Sequence, residues 1–147
     1  MIFMESILII GIAIALLYNF LNGLHDAANS ISTIIATRVL TPLQAVSLAA
    51  FFNLVGPLFL TTAIAKTIGK GIVAPEWLTL EVMILGVLVA SFWIFTTAYI
   101  GIPISSTHAM IGGLIGTAVA YGGVDAVILP TLPMIGGVVV TGLTGAL

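Results

Sequence analysis

Long runs without a charged residue are the feature that most limits what this chain can fold into. The 147 residues include three Lys or Arg and five Asp or Glu, and two uncharged runs cover residues 39–65 and 82–107. Each run exceeds the roughly 20 apolar residues that cross the hydrocarbon core of a bilayer. A soluble domain carries charge on about a quarter of its residues, whereas the fraction here is 5%. We therefore expect a multi-pass protein of the cell membrane, with the lipid bilayer as its solvent.

The residues that are missing exclude several other classes of protein. The chain contains no cysteine, which excludes disulfides, thiolate metal sites and cysteine nucleophiles. Its three basic residues are too few for a nucleic-acid surface. Because the sequence has neither a Ser/His/Asp arrangement nor a Gly-rich nucleotide loop, we expect no enzyme activity, no catalytic residues, no metal site and no cofactor.

Hydropathy and helix-breaking residues predict an all-α bundle of about five to six transmembrane segments, some of them broken or re-entrant. Thr41 and Pro42 are typical of a helix start. Gly112 and Gly116 are expected to pack against another helix. The predicted segments are 6–24, a short apolar piece to 37, 42–64, a loop or interfacial stretch over 66–81, 80–100, 105–121, and 124–147 with kinks at Pro130 and Pro133.

The first polar motif covers residues 22–33 and is expected to interrupt the first apolar segment. If this stretch is helical, its polar residues recur every three or four positions and form one stripe. A carboxylate near the membrane interior costs several kcal/mol unless it is paired or hydrated, so such a stripe usually marks an ion or substrate path. The alternative is that Asp26 caps a helix at the water interface. His25 is either a proton-coupling group or an interfacial histidine. The stripe consists of Asn19, Asn22, Asp26, Asn29 and Thr33.

The second polar motif covers residues 101–113, where Pro103 is expected to break one helix and Ser105, Ser106 and Thr107 to cap the next. A helix that starts inside an apolar region presents free N–H groups and the positive end of its dipole, which together favour an anion. The alternative is a proline kink whose freed carbonyls bond to these hydroxyls. His108 is expected to donate to the anion, relay a proton or cap a neighbouring helix.

Together the two motifs favour transport of an oxyanion. Hydroxyls and a helix N-terminus hold the anion, and Asp26 holds a cation or accepts a hydrogen bond from a protonated oxygen. An oxyanion beside a carboxylate is repulsive unless a proton or metal lies between them, which is itself a coupling mechanism. Phosphate suits such a site better than sulfate because it still carries a proton at neutral pH. A channel would need polar residues along most spans, and the later helices have few.

The residues of both motifs resemble the inorganic phosphate transporter (PiT) family, in its bacterial and archaeal permease type. The resemblance lies in Gly23-Leu-His-Asp-Ala-Ala-Asn-Ser30, Ala36-Thr-Arg-Val-Leu-Thr41 and Ile102-Pro-Ile-Ser-Ser-Thr-His108, against family signatures that read like GANDVANS and PISTTH. It implies an inverted repeat of broken-helix bundles with phosphate held between the halves. Sodium-coupled members usually have Asn at the position of His25, so the resemblance favours proton coupling, with sodium as the competitor.

Carried over to matching positions, the resemblance implies the roles of individual residues. Phosphate contacts are expected from Asp26, Asn29, Ser105, Ser106 and Thr107. The coupling proton or sodium ion is expected at Asn22, His25, Asp26, Asn29 and His108.

The family's second pair of motifs has no counterpart in the chain, so residues 1–147 are expected to be a single transmembrane domain that corresponds to the N-terminal repeat. The second repeat would come from the same or another chain, or from a homodimer. The expected function is cation-coupled phosphate symport. The rival interpretation is a non-transporting membrane subunit or a truncated remnant of such a permease.

Overall fold

The computed structural model describes residues 2–59 and 71–128, together with Pro133, Gly136 and Gly137. Strand pairing in this part of the chain is one antiparallel bridge, between Val73 and Val127, so the predicted all-α fold is confirmed there. The elements are α1 (Ile2–Ala36), α2 (Pro42–Phe59), α3 (Leu80–Ile100), α4 (Ser106–Gly122) and a 3-10 helix (Val124–Ala126).

Two of the described helices, Glu5–Ala36 and Leu80–Ile100, are long and apolar enough to cross a membrane. At 1.5 Å per residue, α1 is about 50 Å long, more than the thickness of a bilayer core. Large apolar side chains lie on the outside of the helices, with Phe20 66% and Phe92 69% exposed. Such surfaces are suited to lipid or to other membrane helices.

A tight turn with a hydrogen-bonded cap on each side joins α1 to α2. Arg38 adopts a positive φ of 56°, and its N–H donates to the carbonyl of Ile35 at 3.1 Å, which ends α1. Thr41 and Gln44 then form a capping box: the Gln44 side chain accepts from the Thr41 N–H at 3.1 Å, and the Gln44 N–H donates to Thr41 Oγ1 at 3.4 Å. The predicted helix start at Pro42 is confirmed.

Helices α1 and α3 run parallel, and α4 returns antiparallel to both. A Cβ on Gly11 of α1 would lie 3.1 Å from Cδ1 of Ile84 on α3. Fourteen residues further along α1, His25 contacts the carbonyl of Ile102, which lies eighteen residues after Ile84 and just past the end of α3. Between α3 and α4 the backbones approach closely, because a Cβ on Gly113 would collide with the carbonyl oxygen of Gly86. The hairpin of α3 and α4 therefore packs through glycine.

A small core closes the end of the bundle where α3 begins and α4 ends. The Trp77 ring covers Gly122, where any Cβ would lie 2.5 Å from Cε3 of the indole. The chain segments that flank the bridge at Val73 pair through the Ala74 N–H, which donates to the Ala126 carbonyl at 2.9 Å. The buried residues of this core are Ile72, Val73, Val82, Ala118 and Ala126.

The predicted interruption of the first apolar segment is wrong, since α1 continues without a break through residues 22–33. Its hydroxyl side chains bond to carbonyls one turn back: Ser30 donates to Ala27 at 3.0 Å and Ser32 donates to Asn29 at 3.0 Å. Each of these carbonyls has a second lone pair for its intrahelical N–H donor, and the stretch contains no proline. Polar residues alone therefore do not end this helix.

The second predicted break is confirmed, with α3 ending at Ile100 and α4 starting at Ser106. The last predicted span is wrong at its beginning, because Val124–Ala126 is a 3-10 turn that leads into the bridge at Val127. The predicted end of the segment 42–64 and the predicted kink at Pro130 lie outside the described residues, as does most of the last predicted span after residue 128. Pro133 is described, but its neighbours are not, so its predicted kink stays a prediction.

The predicted helix contact of Gly112 and Gly116 is also corrected. Among the described residues, a Cβ on either glycine would meet nothing within 4 Å. The close contact is made instead by Gly113, the residue after Gly112, which lies against Gly86 of α3.

This difference between neighbouring glycines predicts opposite effects of one substitution. Gly113→Ala should lower the free energy of unfolding in detergent by about 1–3 kcal/mol, because its methyl group overpacks the α3–α4 contact. Gly112→Ala should be neutral or stabilising by about 0.5–1 kcal/mol, because alanine favours a helix where there is open space. Equal stabilities of the two variants in thermal or denaturant unfolding would contradict the glycine contact.

Candidate functional site

The helix break at residues 101–105 is built from a C-cap and an N-cap placed in succession. Gly101 has a φ of 73° and ends α3, and the next N–H, from Ile102, donates to the Thr97 carbonyl at 2.9 Å. Ser105 then caps α4, with its Oγ accepting from the His108 N–H at 3.3 Å. The chain therefore reverses within five residues and presents the N-terminus of α4 next to α1.

The first two N–H groups of α4 remain available for a ligand. The Ser105 cap takes the N–H of His108, and the Ser105 carbonyl takes that of Ala109 at 3.1 Å. Within the described residues no acceptor is seen for the N–H groups of Ser106 and Thr107, as expected for the first turn of a helix. These donors lie at the positive end of the helix dipole, where a negative group is favoured.

Asp26 is the negative group that lies there. The Ser106 hydroxyl donates to Asp26 Oδ2 at 3.0 Å, a contact between residues eighty positions apart. Ser106 is buried, at 7% exposure, whereas 49% of the Asp26 side chain is exposed. One carboxylate oxygen is thus tied to α4, and part of the carboxylate remains open to a ligand.

His25 joins the two motifs a second time. The residue is 5% exposed, and its Nε2 lies 3.5 Å from the carbonyl oxygen of Ile102 in the loop between α3 and α4. Its Nδ1 lies 3.4 Å from Asp26 Oδ1 and 3.4 Å from Asn29 Nδ2, at the long end of the hydrogen-bond range. A neutral ring that donates from Nε2 accepts at Nδ1 from Asn29, whereas a protonated ring donates from Nδ1 to Asp26.

The structure therefore brings His25, Asp26 and Asn29 of the first motif together with Ser106 of the second. Asn22 is partly buried one turn earlier on α1, and its Oδ1 is buried without a hydrogen-bond partner in the described residues.

The remaining predicted residues lie further apart. Thr107 is exposed on the first turn of α4. His108 lines a cavity of about 530 Å³ together with Phe92 and Trp93 of α3 and the cap residue Ser105; Asp26, His25 and Asn29 do not line this cavity.

Tyr18 belongs to this group and was not predicted. Its hydroxyl donates to the backbone carbonyl of Ser106 at 3.1 Å. The spacing of Tyr18, Asn22 and Asp26, each four residues from the next, places them on the same side of α1. This spacing is the sequence signal that could have revealed the tyrosine.

A cavity of about 370 Å³ beside His25 and Asn29 is also lined by Thr97, a buried polar residue that the sequence did not indicate.

Within the described residues, no group of three or more His, Asp or Glu side chains could hold a metal ion. The groups that the described residues present at this site are two helix N–H donors, hydroxyls, one histidine, one carboxylate and amides.

Comparison with known proteins covers both motifs. The model of the phosphate transporter family matches residues 22–147. A probable low-affinity inorganic phosphate transporter of Rhizobium meliloti (strain 1021) is 46% identical over 134 residues, which cover 90% of this chain and 40% of that protein. A protein of the same description from Streptomyces halstedii is 43% identical over 142 residues, which cover 89% of this chain and 66% of that protein.

A solved structure described as the sodium-dependent phosphate transporter matches with a TM-score of 0.83 and 31% identity. The match covers 88% of this chain and 34% of that chain, so the chain spans between about one third and two thirds of the length of these relatives. The family match includes Asp26 and Ser106 together with the helices that hold them. The chain is a membrane protein that belongs to the phosphate transporter family.

Proposed function

We propose that this chain supplies one half of a site that carries inorganic phosphate across the cell membrane in symport with a cation. The observation that carries the proposal is the 3.0 Å hydrogen bond from Ser106 Oγ to Asp26 Oδ2. It joins a helix N-terminus, which favours an anion, to a carboxylate, which favours a cation or a proton. A site with both groups binds an anion only together with positive charge, which is the requirement for symport.

Phosphate would enter this site by replacing the bond between Ser106 and Asp26. Its unprotonated oxygens would accept from the N–H groups of Ser106 and Thr107 and from the hydroxyls of Ser105, Ser106 and Thr107. Its remaining O–H would donate to the exposed oxygen of Asp26, and Asn29 would donate its amide. The absence of an Arg clamp from this group keeps binding weak enough for release.

We favour the proton as the coupling ion, with His25 as the residue that responds to it. A proton added to Nδ1 would replace the Asn29 partner with Asp26 and neutralise the carboxylate beside the incoming anion. Asn29 would then be free to contact phosphate.

Sodium is the competing ion. The similar solved structure is described as sodium-dependent. Oδ1 of Asn22, which has no hydrogen-bond partner within the described residues, is an oxygen ligand of the type that sodium accepts. His108 would take part only if its side chain turns from its present cavity towards the site.

The other half of the site would come from a second repeat, in the same chain, in another chain or in a homodimer. The exposed part of the polar stripe cannot face lipid, where unsatisfied polar groups cost several kcal/mol each. Its exposed members are Asn19, Asp26, Asn29 and Thr33. In this proposal residues 1–147 form one transmembrane domain of about five to six membrane segments, the N-terminal repeat of an inverted pair.

Phosphate uptake by liposomes that contain the full-length protein tests the proposal. With sodium absent, an inward proton gradient should drive uptake above that of empty liposomes, and dissipating the gradient should stop it. Uptake driven only by a sodium gradient would assign coupling to sodium. Uptake equal to that of empty liposomes under both gradients would support the rival interpretation, a non-transporting subunit or remnant.

Asp26→Asn should reduce the initial rate of phosphate uptake to the rate of empty liposomes. The amide keeps the size of the side chain but carries no negative charge to balance a cation and takes up no proton. The matched control is Asp125→Asn, which removes an exposed carboxylate in the 3-10 helix at the other end of the bundle and should retain the wild-type rate. Equal rates in the two variants would remove Asp26 from the coupling site.

Ser105→Asp should keep the helix cap but weaken phosphate uptake. Aspartate caps a helix about as well as serine, yet its charge would face the anion, so the half-saturation concentration for phosphate should rise at least about tenfold. The matched control is Thr79→Asp at the N-cap of α3, whose Oγ1 accepts from the Val82 N–H at the distant end of the bundle. Unchanged half-saturation in Ser105→Asp would place the anion elsewhere.

A further inference from the structure

Ser106 is tied to α1 through two different atoms. Its hydroxyl donates to Asp26 Oδ2 at 3.0 Å, and its backbone carbonyl accepts from the Tyr18 hydroxyl at 3.1 Å. Tyr18 is partly buried on α1, two helical turns before Asp26. The proposed transport site uses Asp26 directly, and it leaves the role of the tyrosine unexplained.

The direction of the carbonyl explains why a tyrosine can reach it from that position. Carbonyl groups of an α-helix point towards the C-terminus, and α4 runs antiparallel to α1. The Ser106 carbonyl therefore points towards the N-terminal part of α1, where Tyr18 lies, while its hydroxyl meets Asp26 further along. The two bonds hold Ser106, the first residue of α4, between Tyr18 and Asp26, and so fix the position of α4 along α1.

The bond from the Tyr18 hydroxyl to the Ser106 carbonyl also affects the Thr107 N–H, one of the donors of the proposed phosphate site. The Ser106 carbonyl and the Thr107 N–H belong to one peptide unit, and hydrogen bonds in a chain polarise one another. A donor on the carbonyl oxygen draws electron density from the peptide nitrogen and makes the Thr107 N–H a stronger donor. Thr107 carries one of the two free N–H groups at the start of α4.

We infer that Tyr18 is a positioning residue for phosphate, which holds the N-terminal turn of α4 through the Ser106 carbonyl and strengthens the Thr107 N–H as a donor to the anion. This inference rests on the proposed function, because it assigns Tyr18 to the anion side of that site. The tyrosine itself does not contact the substrate. Its effect should appear in phosphate affinity and leave the maximal rate almost unchanged.

Tyr18→Phe in the full-length protein is the test, because it removes the hydroxyl and keeps the ring. Loss of one hydrogen bond of ordinary strength should raise the half-saturation concentration for phosphate by about three- to tenfold. The maximal uptake rate should remain within about twofold of the wild type. The matched control is Tyr99→Phe, since Tyr99 of α3 is 85% exposed and its hydroxyl has no partner in the described residues.

The outcomes separate positioning from general stabilisation. A raised half-saturation concentration in Tyr18→Phe, with Tyr99→Phe like the wild type, supports the inference. Wild-type half-saturation in Tyr18→Phe overturns it. A lower maximal rate with unchanged half-saturation also overturns it, because that pattern would indicate loss of folded protein.

Backbone hydrogen exchange in detergent provides a readout that does not depend on transport. Amides of residues 106–112 should exchange faster in Tyr18→Phe than in the wild type, while amides of residues 116–122 should be unchanged. Equal exchange over 106–112 would overturn the inference. If the wild type takes up no phosphate under either gradient, the proposed function fails, and hydrogen exchange still decides whether Tyr18 holds α4.

Discussion

The hydrogen bond between Ser106 and Asp26 depends on how α3 ends, how α4 starts and how closely these two helices pack. Ser106 reaches α1 because Gly101 lets α3 end sharply and Ser105 caps α4 four residues later. The hairpin stays compact because Gly113 lies directly against the backbone of Gly86. Each of these residues has a local structural role, and together they place a helix N-terminus beside a carboxylate within a chain that has few charges.

The two motifs differ in how their backbones contribute to the site. In the second motif the backbone itself is the binding group, because a helix that starts inside the bundle exposes N–H groups and a dipole. The first motif lies inside the continuous helix α1, where the backbone bonds within the helix and only side chains are presented. His25 links the two motifs, since its ring reaches Asp26 on one side and the Ile102 carbonyl on the other. A change in its protonation would therefore affect both.

The sequence predicted the second motif more accurately than the first, for a physical reason. Proline and glycine act on the backbone directly, so the end of α3, the break and the start of α4 follow from Gly101, Pro103 and Ser105. The residues of the first motif act through side chains, which bond within a continuous helix and do not break it. Contacts between helices depend on rotation and register. For that reason the sequence did not distinguish Gly113 from Gly112. The spacing of Tyr18 from Asp26 places both on one side of α1, but it does not reveal the bond from Tyr18 to Ser106.

An experimental structure of the full-length protein with bound phosphate would test the central claim most directly. The proposed site predicts phosphate between α1 and α4, within hydrogen-bond distance of the N–H groups of Ser106 and Thr107 and of the Asp26 carboxyl. It also predicts that the Ser106 hydroxyl has turned from Asp26 to the ligand. Phosphate bound elsewhere, with the bond from Ser106 to Asp26 still intact, would contradict it.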